Sequence, residues 1–267
     1  MTTNVLLVVV DNLRPVLGSW DVPGVVTPHM DGLVHDGVTF SRAFCQIAWC
    51  APSRNSWLTG LRPSITRAYN FLDHFRTSQP SAVTLPGLFK AAGFHTLSFG
   101  KVFHPDLPPN FDFPASWSEM PQMPLKPDCA GLQMTCELPD DTTTADMATT
   151  SLALDALKDL SSLSPDRRFF IAVGLQSPRL SWSYPRAAAA RLPPASSLPI
   201  AAHLSAPAER AQLEWFRPTE VDRYTGINAT HDAPLDEAAQ RQLRFAYYAT
   251  IAHCDKMVGL LLDGLGR

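Results

Sequence analysis

Apolar positions along this chain fall into short continuous runs, separated by segments with helical spacing. Residues 5–10 are an unbroken run of Val and Leu, and residues 94–99 and 168–173 are further apolar segments. Such runs are typical of strands in a largely parallel sheet that is covered on both faces. Residues 84–93 have helical spacing and directly precede the second run. This order predicts a βαβ unit with a right-handed crossover.

Three longer segments predict helices. Thr27 and Pro28 are typical of a helix start, and Gly37 is typical of its end. Residues 143–160 carry Ala, Leu and Met at helical spacing, and residues 236–265 predict one long amphipathic helix. The apolar stripe of this last helix comprises Leu243, Tyr247, Ile251, Cys254, Val258, Leu261 and Leu265.

His253 and Cys254 are neighbours on the last predicted helix, and both residue types bind metals in other proteins. Adjacent helical positions point about 100° apart, so the two side chains do not face one ion. We therefore expect His253 and Cys254 to pack in the core rather than to form a metal pair.

Two proline-rich stretches interrupt the pattern of strands and helices. Residues 105–141 contain many prolines and little periodicity, which predicts a long ordered loop. Residues 186–234 are rich in Ala and Pro and predict surface loops or an insertion. We expect an α/β domain over residues 1–267 that carries these two stretches as long loops or insertions.

Composition narrows the classes of partner. With 267 residues, of which 45% are hydrophobic and 18% charged, the chain can bury a substantial core. A formal net charge of −3 gives no global basic field, which argues against nucleic acid as the main partner. No apolar run approaches the length of a membrane span. The chain begins almost directly with a strand, so it is either cytosolic or has lost a leader.

Polar residues follow two of the predicted strands. Asp11 and Asn12 come directly after the first strand, and Lys101 and His104 follow the second. In open α/β sheets, ligands bind at the carboxyl ends of the strands, so all four residues are candidate site residues. The alternatives are a turn capped by Asp and Asn, and a solvated loop that contains Lys and His.

Cys50 has an unusual local setting. Pro52 follows it closely, which places Cys50 at or just before a helix N-terminus. The free backbone N–H groups and the helix dipole favour a thiolate or an anionic ligand there. Arg54 lies one turn later, where it can face the same ligand, and Gly60 is typical of the end of this helix. The alternative is a small apolar cysteine packed at a helix start.

The stretch Cys50-Ala51-Pro52-Ser53-Arg54 matches the C-x-P-S-R signature of the formylglycine-dependent sulfatases. The chain resembles this family in four further segments, which read NVLLVVVDNLRP, GKVFHP, FFIAVG and YATIAHCDKMVGLLL. The resemblance implies an alkaline-phosphatase/sulfatase-like α/β fold, in which helices flank a largely parallel mixed sheet. It also implies that the chain corresponds to the N-terminal part of the catalytic domain, without the strand that completes the metal site.

The resemblance assigns roles to the candidate residues. Cys50 becomes formylglycine through a formylglycine-generating enzyme, and the hydrated aldehyde is the nucleophile. Arg54 and Lys101 bind the sulfate, and His104 hydrogen-bonds the formylglycine or the sulfate. The catalytic set is therefore Cys50, Arg54, Lys101 and His104. One divalent cation, Ca²⁺, takes oxygen ligands from a set that consists of Asp11, Asn12 and the modified Cys50.

Two departures from the family pattern stand out. The family has Asp at the position of Asn12, so the metal site loses one negative charge, and fewer charged ligands mean weaker calcium binding. A His-Lys-Pro-His run after the third strand is replaced by Gln176-Ser177-Pro178-Arg179. The substrate contacts of that loop are therefore expected to differ.

The resemblance is strongest to the sulfatases that remove the 2-O-sulfate from uronic acid residues of glycosaminoglycans such as heparan and dermatan sulfate. It implies a sulfated saccharide as the substrate and a lysosomal or secreted location. It also implies a disulfide between Cys129 and Cys136, and such bonds favour an oxidising compartment. The sequon at residues 228–230 adds weak support for the secretory route. Two alternatives remain: a hydrolase of another sulfate or phosphonate ester, and a truncated, inactive binding protein.

Overall fold

The computed structural model describes residues 3–125, 129–163, 167–204, 224–225 and 235–266. Strands β1 to β5 span, in order, Val5–Val10, His95–Gly100, Thr135–Leu138, Phe169–Leu175 and Trp182–Pro185. Helices α1 to α8 span, in order, Pro28–Asp36, Cys50–Thr59, Pro63–Thr66, Phe75–Ser78, Leu85–Ala91, Ala145–Leu163, Arg186–Ala189 and Glu237–Gly264. Short 3₁₀ turns lie at Gly18–Trp20, Pro109–Asp112, Ala130–Leu132 and Ala195–Ser197.

The main sheet has the strand order β1-β4-β2, and both pairs of neighbours are parallel. The predicted parallel sheet is therefore confirmed. In register, Val10 is opposite Leu175, and Gly100 is opposite Gly174. Because the three strands end side by side, the residues that follow them meet at one edge of the sheet.

Alternate residues of the central strand β4 pack on opposite faces. Phe169, Ile171 and Val173 belong to a core cluster that includes Leu157 of α6 and Leu261 of α8. The opposite face has its own core cluster, which comprises Leu58, Phe75, Val102, Phe103, Trp117, Phe170 and Ala172. Coverage on both faces explains why this strand is apolar throughout.

The predicted helices are confirmed, with small differences at their ends. Gly37 follows the end of α1, and the side chain of Asp236 caps α8 by accepting a hydrogen bond from the backbone N–H of Ala239. His253 and Cys254 are both buried. His253 Nε2 lies 2.9 Å from Thr144 Oγ1. The prediction that the neighbouring His and Cys pack in the core is therefore confirmed.

The two long loops differ from expectation in part. Residues 105–141 are not loop throughout, because β3 forms within them and pairs in parallel with β5. The sequence of β3 is short and lacks a clear alternation, and its backbone is satisfied by a distant partner strand. The disulfide between Cys129 and Cys136 is present. Within residues 186–234, α7 and a 3₁₀ turn are formed, whereas the sequon at 228–230 lies outside the described residues.

Residues 38–44 lead into α2 without forming a strand. Val38, Phe40 and Phe44 are 85%, 78% and 82% exposed, respectively. In the part of the chain that the structure describes, no helix has the length and apolarity needed to cross a membrane.

Candidate active site

Three charged side chains meet at the carboxyl edge of the sheet. Asp11 follows β1, Lys101 follows β2, and Arg54 reaches over from α2. Arg54 Nη2 lies 2.6 Å from Asp11 Oδ1, and Lys101 Nζ lies 2.7 Å from Asp11 Oδ2. All three side chains are almost completely buried. The structure therefore brings together three candidates that stand far apart in the sequence.

The close approach of β2 and β4 sets the position of Lys101. The backbone N–H of Lys101 donates to the carbonyl oxygen of Gly174. Gly100 adopts a positive φ of 69°, which glycine tolerates best. A Cβ atom on Gly174 would overlap the backbone of Lys101. These two glycines allow the strands to end in contact, with the Lys101 side chain next to Asp11.

The buried cluster of Asp11, Arg54 and Lys101 has one carboxylate and two cations, and therefore an excess of one positive charge. Burial alone raises the pKa of Asp11. The positive charges of Arg54 and Lys101 and their hydrogen bonds outweigh burial and hold this pKa below its usual value, so Asp11 is ionised at neutral pH.

Arg54 is only partly satisfied by the protein. Its Nη1 donates to the carbonyl oxygens of Lys101 and Val102, and its Nη2 donates to Asp11. The buried Nε has no hydrogen-bond partner among the described residues. Buried donors are nearly always paired, so an unpaired Nε in a positively charged cluster indicates a place for an acceptor.

Cys50 is the first residue of α2, and the preceding Trp49 is extended. No described side chain caps this helix end, and because Pro52 lacks an N–H and that of Ser53 donates to Trp49, the backbone donors left for an anion are those of Cys50 and Ala51. Cys50 is half-buried, and its Sγ lies 3.9 Å from Lys101 Nζ. The thiol therefore lies beside the charged cluster, as the sequence predicts.

His104 completes the group of candidates that follow β2. Its Nδ1 lies 3.0 Å from the carbonyl oxygen of Pro105, and its ring contacts the ring of Phe71 in a tilted arrangement. Burial lowers the pKa of His104, and Lys101 and Arg54 lower it further. The hydrogen bond to Pro105 and the charge of Asp11 oppose this effect without reversing it. The imidazole is therefore neutral at neutral pH.

Asn12 differs from the other candidates because its side chain is exposed. Its backbone adopts a positive φ of 61°, which Asn tolerates better than most residues. The carbonyl oxygen of Asn12 accepts a hydrogen bond from Tyr247, whose hydroxyl also accepts one from the backbone N–H of Arg14. Tyr247 therefore fixes the turn that follows β1.

The arrangement does not by itself form a calcium site. Both oxygens of Asp11 already contact cations, from Arg54 and Lys101. Across the described ranges, no three His, Cys, Asp or Glu residues gather as metal ligands. Because Ca²⁺ takes six to eight oxygen ligands, Asp11 and Asn12 supply too few.

The loop that replaces the family's His-Lys-Pro-His run follows β4, in the middle of the sheet edge. Two backbone N–H groups in it, those of Gln176 and Ser177, donate to the Asp146 carboxylate at 2.6 and 3.0 Å. The side-chain amide of Gln176 donates to the carbonyl oxygen of Pro124. Asp146 therefore holds the main chain of this loop from the first turn of α6.

Sequence reasoning missed several residues that shape the site. Tyr247 lies on the apolar stripe of α8, where nothing distinguishes its hydroxyl from that of any buried tyrosine. Phe71 lies in an irregular segment between α3 and α4, where periodicity carries no information. Asp146 did have a signal, because acidic residues are enriched in the first turn of a helix, but that signal does not reveal its partners.

The architecture defines a class of protein before any sequence comparison. A crystal structure of phosphonate monoester hydrolase from Agrobacterium radiobacter superposes with a TM-score of 0.69 at 20% identity, over 98% of this chain and 59% of that chain. The fold is therefore of the alkaline-phosphatase/sulfatase class, as the resemblance implies.

Sequence comparison is more specific than the fold. The sulfatase family profile matches residues 3–267, so this chain belongs to the sulfatase family. Iduronate 2-sulfatase of Mus musculus is 34% identical over 286 aligned residues, which cover 98% of this chain and 51% of the mouse protein. The Homo sapiens protein is 33% identical, and the alignment again covers 98% of this chain and 51% of the human protein. The chain therefore spans about half the length of these curated relatives.

Proposed function

We propose that this chain carries the catalytic centre of a sulfuric ester hydrolase. The observation that supports this best is the buried excess of one positive charge beside Cys50, next to an unpaired donor on Arg54. An uncompensated charge in a protein interior is costly, and a bound anion of charge −1 offsets it. The sulfate group of a sulfate ester carries that charge.

Arg54 and Lys101 bind the non-bridging oxygens of the sulfate group in this proposal. Both cations are held rigidly before the substrate arrives, Lys101 by Asp11 and Arg54 by Asp11 and two carbonyl oxygens. Positive charge that is already in place stabilises negative charge as it develops, without further reorganisation. We assign to both residues the binding and polarisation of the sulfate.

A formylglycine at position 50 supplies, as its hydrate, one hydroxyl that attacks sulfur and a second that expels the sulfate. His104 is neutral and has Nε2 available to accept the proton that the first hydroxyl releases. The same nitrogen then gives a proton to the departing alcohol oxygen, and Lys101 is the alternative acid. Over the whole cycle, the ester and one water become the alcohol, sulfate and a proton.

We propose the 2-O-sulfate of a uronic acid residue in heparan or dermatan sulfate as the substrate. The identity to mouse and human iduronate 2-sulfatase supports it. Hydrolysis of another sulfate or phosphonate ester is the second candidate, because the loop at residues 176–179 differs from the family run and a phosphonate monoester hydrolase shares the fold. A sulfatase-like protein that binds without turnover is the third.

The proposed cofactor is one divalent cation, Ca²⁺, with Asp11, Asn12 and the modified Cys50 as ligands, and it needs further ligands besides these. Calorimetry with Ca²⁺ tests this assignment, and we expect Asp11→Asn to abolish binding. A formylglycine-generating enzyme is the proposed partner in maturation. The disulfide between Cys129 and Cys136 supports a lysosomal or secreted location.

The first test is co-expression with a formylglycine-generating enzyme, followed by mass spectrometry of the peptide that contains Cys50. We expect conversion to the aldehyde, because that maturation reads the C-x-P-S-R stretch. The converted protein is then assayed with an aryl sulfate and with a 2-sulfated iduronate disaccharide. A thiol that stays unmodified in every molecule would favour the binding protein.

The second test removes the excess charge. Lys101→Met leaves Asp11 and Arg54 as a balanced pair, so we expect kcat to fall about 10²-fold or more with little change in Tm. His104→Ala should lower kcat by about 10²-fold or more, because it removes the proton carrier. Lys256→Met, at an exposed position on α8, is the matched control. Equal losses of activity and Tm in the site variants would show that the residues are structural.

A further inference from the structure

An aromatic column connects the residue before Cys50 to His104. The ring of Trp49 stacks on the ring of Phe71, with centroids 5.2 Å apart and planes 16° apart. The opposite end of the column is His104, whose ring centroid lies 5.0 Å from that of Phe71 at an angle of 33°. Phe71 is therefore the central ring of three.

This column is separate from the two cores of the sheet. Trp49 is 38% exposed and Phe71 is 44% exposed, and neither belongs to a core cluster. A local turn holds Phe71 in place, because Asn70 Oδ1 accepts hydrogen bonds from the backbone N–H groups of Leu72 and Asp73. Phe71 thus lies outside the cores, and its ring contacts are the stacked ring of Trp49 and the tilted ring of His104.

The hydrogen bond to Pro105 anchors the imidazole of His104 at one atom and leaves the ring able to rotate about that bond. A carbonyl oxygen can only accept, so Nδ1 carries the proton, and Nε2 has the free lone pair in the neutral ring. One hydrogen bond allows the ring to rock about the Nδ1–oxygen direction. The tilted contact with the ring of Phe71 restricts that motion, because a neighbouring ring 5.0 Å away limits the angles that the imidazole can take.

We infer that Phe71 is a positioning residue for His104, and that the column fixes His104 Nε2 relative to residue 50. Trp49 directly precedes Cys50, the first residue of α2, so the column links the chain at the nucleophile to the ring of the proton carrier. Small displacements of a catalytic group cost large factors in rate. This inference rests on the proposed function for the roles of Cys50 and His104, but the placement of the ring can be measured separately.

The placement test uses NMR of the imidazole in Phe71→Leu, Phe71→Tyr and Phe40→Leu. Phe40 is an exposed phenylalanine outside the column, so Phe40→Leu is the matched control. We expect Phe71→Leu to remove the ring-current shift of the His104 ring protons and to mix the two tautomers in the ¹⁵N spectrum. Phe71→Tyr should restore both signatures. Unchanged His104 signals in a folded Phe71→Leu protein would overturn the inference.

The kinetic test uses the same variants in converted protein with an aryl sulfate. We expect Phe71→Leu to lower kcat about tenfold, a fraction of what a proton carrier contributes, while KM stays within about twofold. Phe71→Tyr should recover most of kcat. An unchanged kcat in Phe71→Leu overturns the positioning role, whereas no turnover in the unsubstituted protein rejects the proposed function and leaves the NMR result to decide where His104 is held.

Discussion

At Asp11, one carboxylate is paired with two buried cations, so its ionisation is tied to folding. Arg54 and Lys101 lower its pKa below the ordinary value of 3.8, despite the opposing effect of burial. A group with a depressed folded pKa contributes stability above its unfolded pKa, and this contribution is lost as the pH falls through the folded pKa.

We therefore predict that the stability difference between the unsubstituted protein and Asp11→Asn shrinks in acid. It should be fully present above the ordinary Asp pKa of 3.8 and should decline only as the pH falls through the lower folded-state pKa, because protonated Asp11 is then as neutral as Asn. Urea unfolding at a series of pH values, with a chelator present, measures this difference. A difference that stays constant over the whole range would contradict the ion-pair account.

At the scale of elements, the ends of β2 and β4 lie so close together that neither leaves room for a larger residue at the contact. We predict that Gly174→Ala lowers the free energy of unfolding by about 1–3 kcal/mol, because the new Cβ would overlap the backbone of Lys101 and push the strands apart. Activity should fall further than stability, since Lys101 moves with its strand. Thermal unfolding and the aryl sulfate assay measure the two effects.

Gly32→Ala is the control for this prediction. Gly32 lies inside α1, and a Cβ there would meet nothing within 4 Å. Alanine is favoured over glycine in a helix interior by about 0.5–1 kcal/mol, so this variant should be neutral or stabilised. A similar loss of stability in both variants would indicate that the strand contact is unimportant.

The loop after β4 gives a second prediction at this scale. Asp146→Asn replaces one accepting oxygen by an NH₂ group, which can only donate, so the backbone N–H of Gln176 or Ser177 loses its partner. We expect faster hydrogen exchange at those two amides and a loss of about 1–3 kcal/mol. Asp155→Asn, at an exposed position of the same helix, should leave both exchange rates unchanged.

Local patterns explain how much of this architecture can be predicted from the sequence. The strands of the main sheet follow from apolar runs, α5 follows from Thr84, whose side chain caps it, and α8 follows from its amphipathic stripe. Gly60 ends α2 with a positive φ, as its residue type predicts. The site candidates at the strand ends follow from the same patterns, whereas their roles and the disulfide came from the family resemblance, since spacing alone cannot pair cysteines.

The features that the sequence does not predict depend on contacts between distant parts of the chain. The hydroxyl of Tyr247 reaches the carbonyl oxygen of Asn12 across 235 positions, and no local periodicity encodes such a bond. The strand β3 lacks a pattern of its own and exists because β5 pairs with it. Phe71 would be read as a loop residue in any single-sequence argument. Such contacts are visible only once the fold is formed.

At the scale of the molecule, the outer side of β1 has no partner strand among the described elements, and its six apolar residues are only half-buried. Unpaired apolar strand edges promote association. The proposed metal ligands also include a single native carboxylate, Asp11, whereas calcium sites use several. The strand edge favours self-association of the 267-residue polypeptide, and the shortage of carboxylates weakens its binding of calcium.

We predict that this polypeptide, with Cys50 converted and calcium in excess, turns over sulfate esters far more slowly than mouse iduronate 2-sulfatase. Light scattering after gel filtration should show self-association. The assay uses an aryl sulfate and a 2-sulfated iduronate disaccharide. Turnover by a folded monomer at a rate close to that of the mouse protein would refute the prediction and would mean that the described residues suffice.

The two hydrogen bonds that Asp146 accepts from the loop after β4 affect which substitutions this loop can accept. Its carboxylate holds two main-chain N–H groups, which every residue except proline provides. Substitutions at residues 176 and 177 therefore leave these two backbone hydrogen bonds in place, and what limits them is the buried space around the two side chains. The scaffold fixes the path of this loop through its main chain, independently of which side chains it carries.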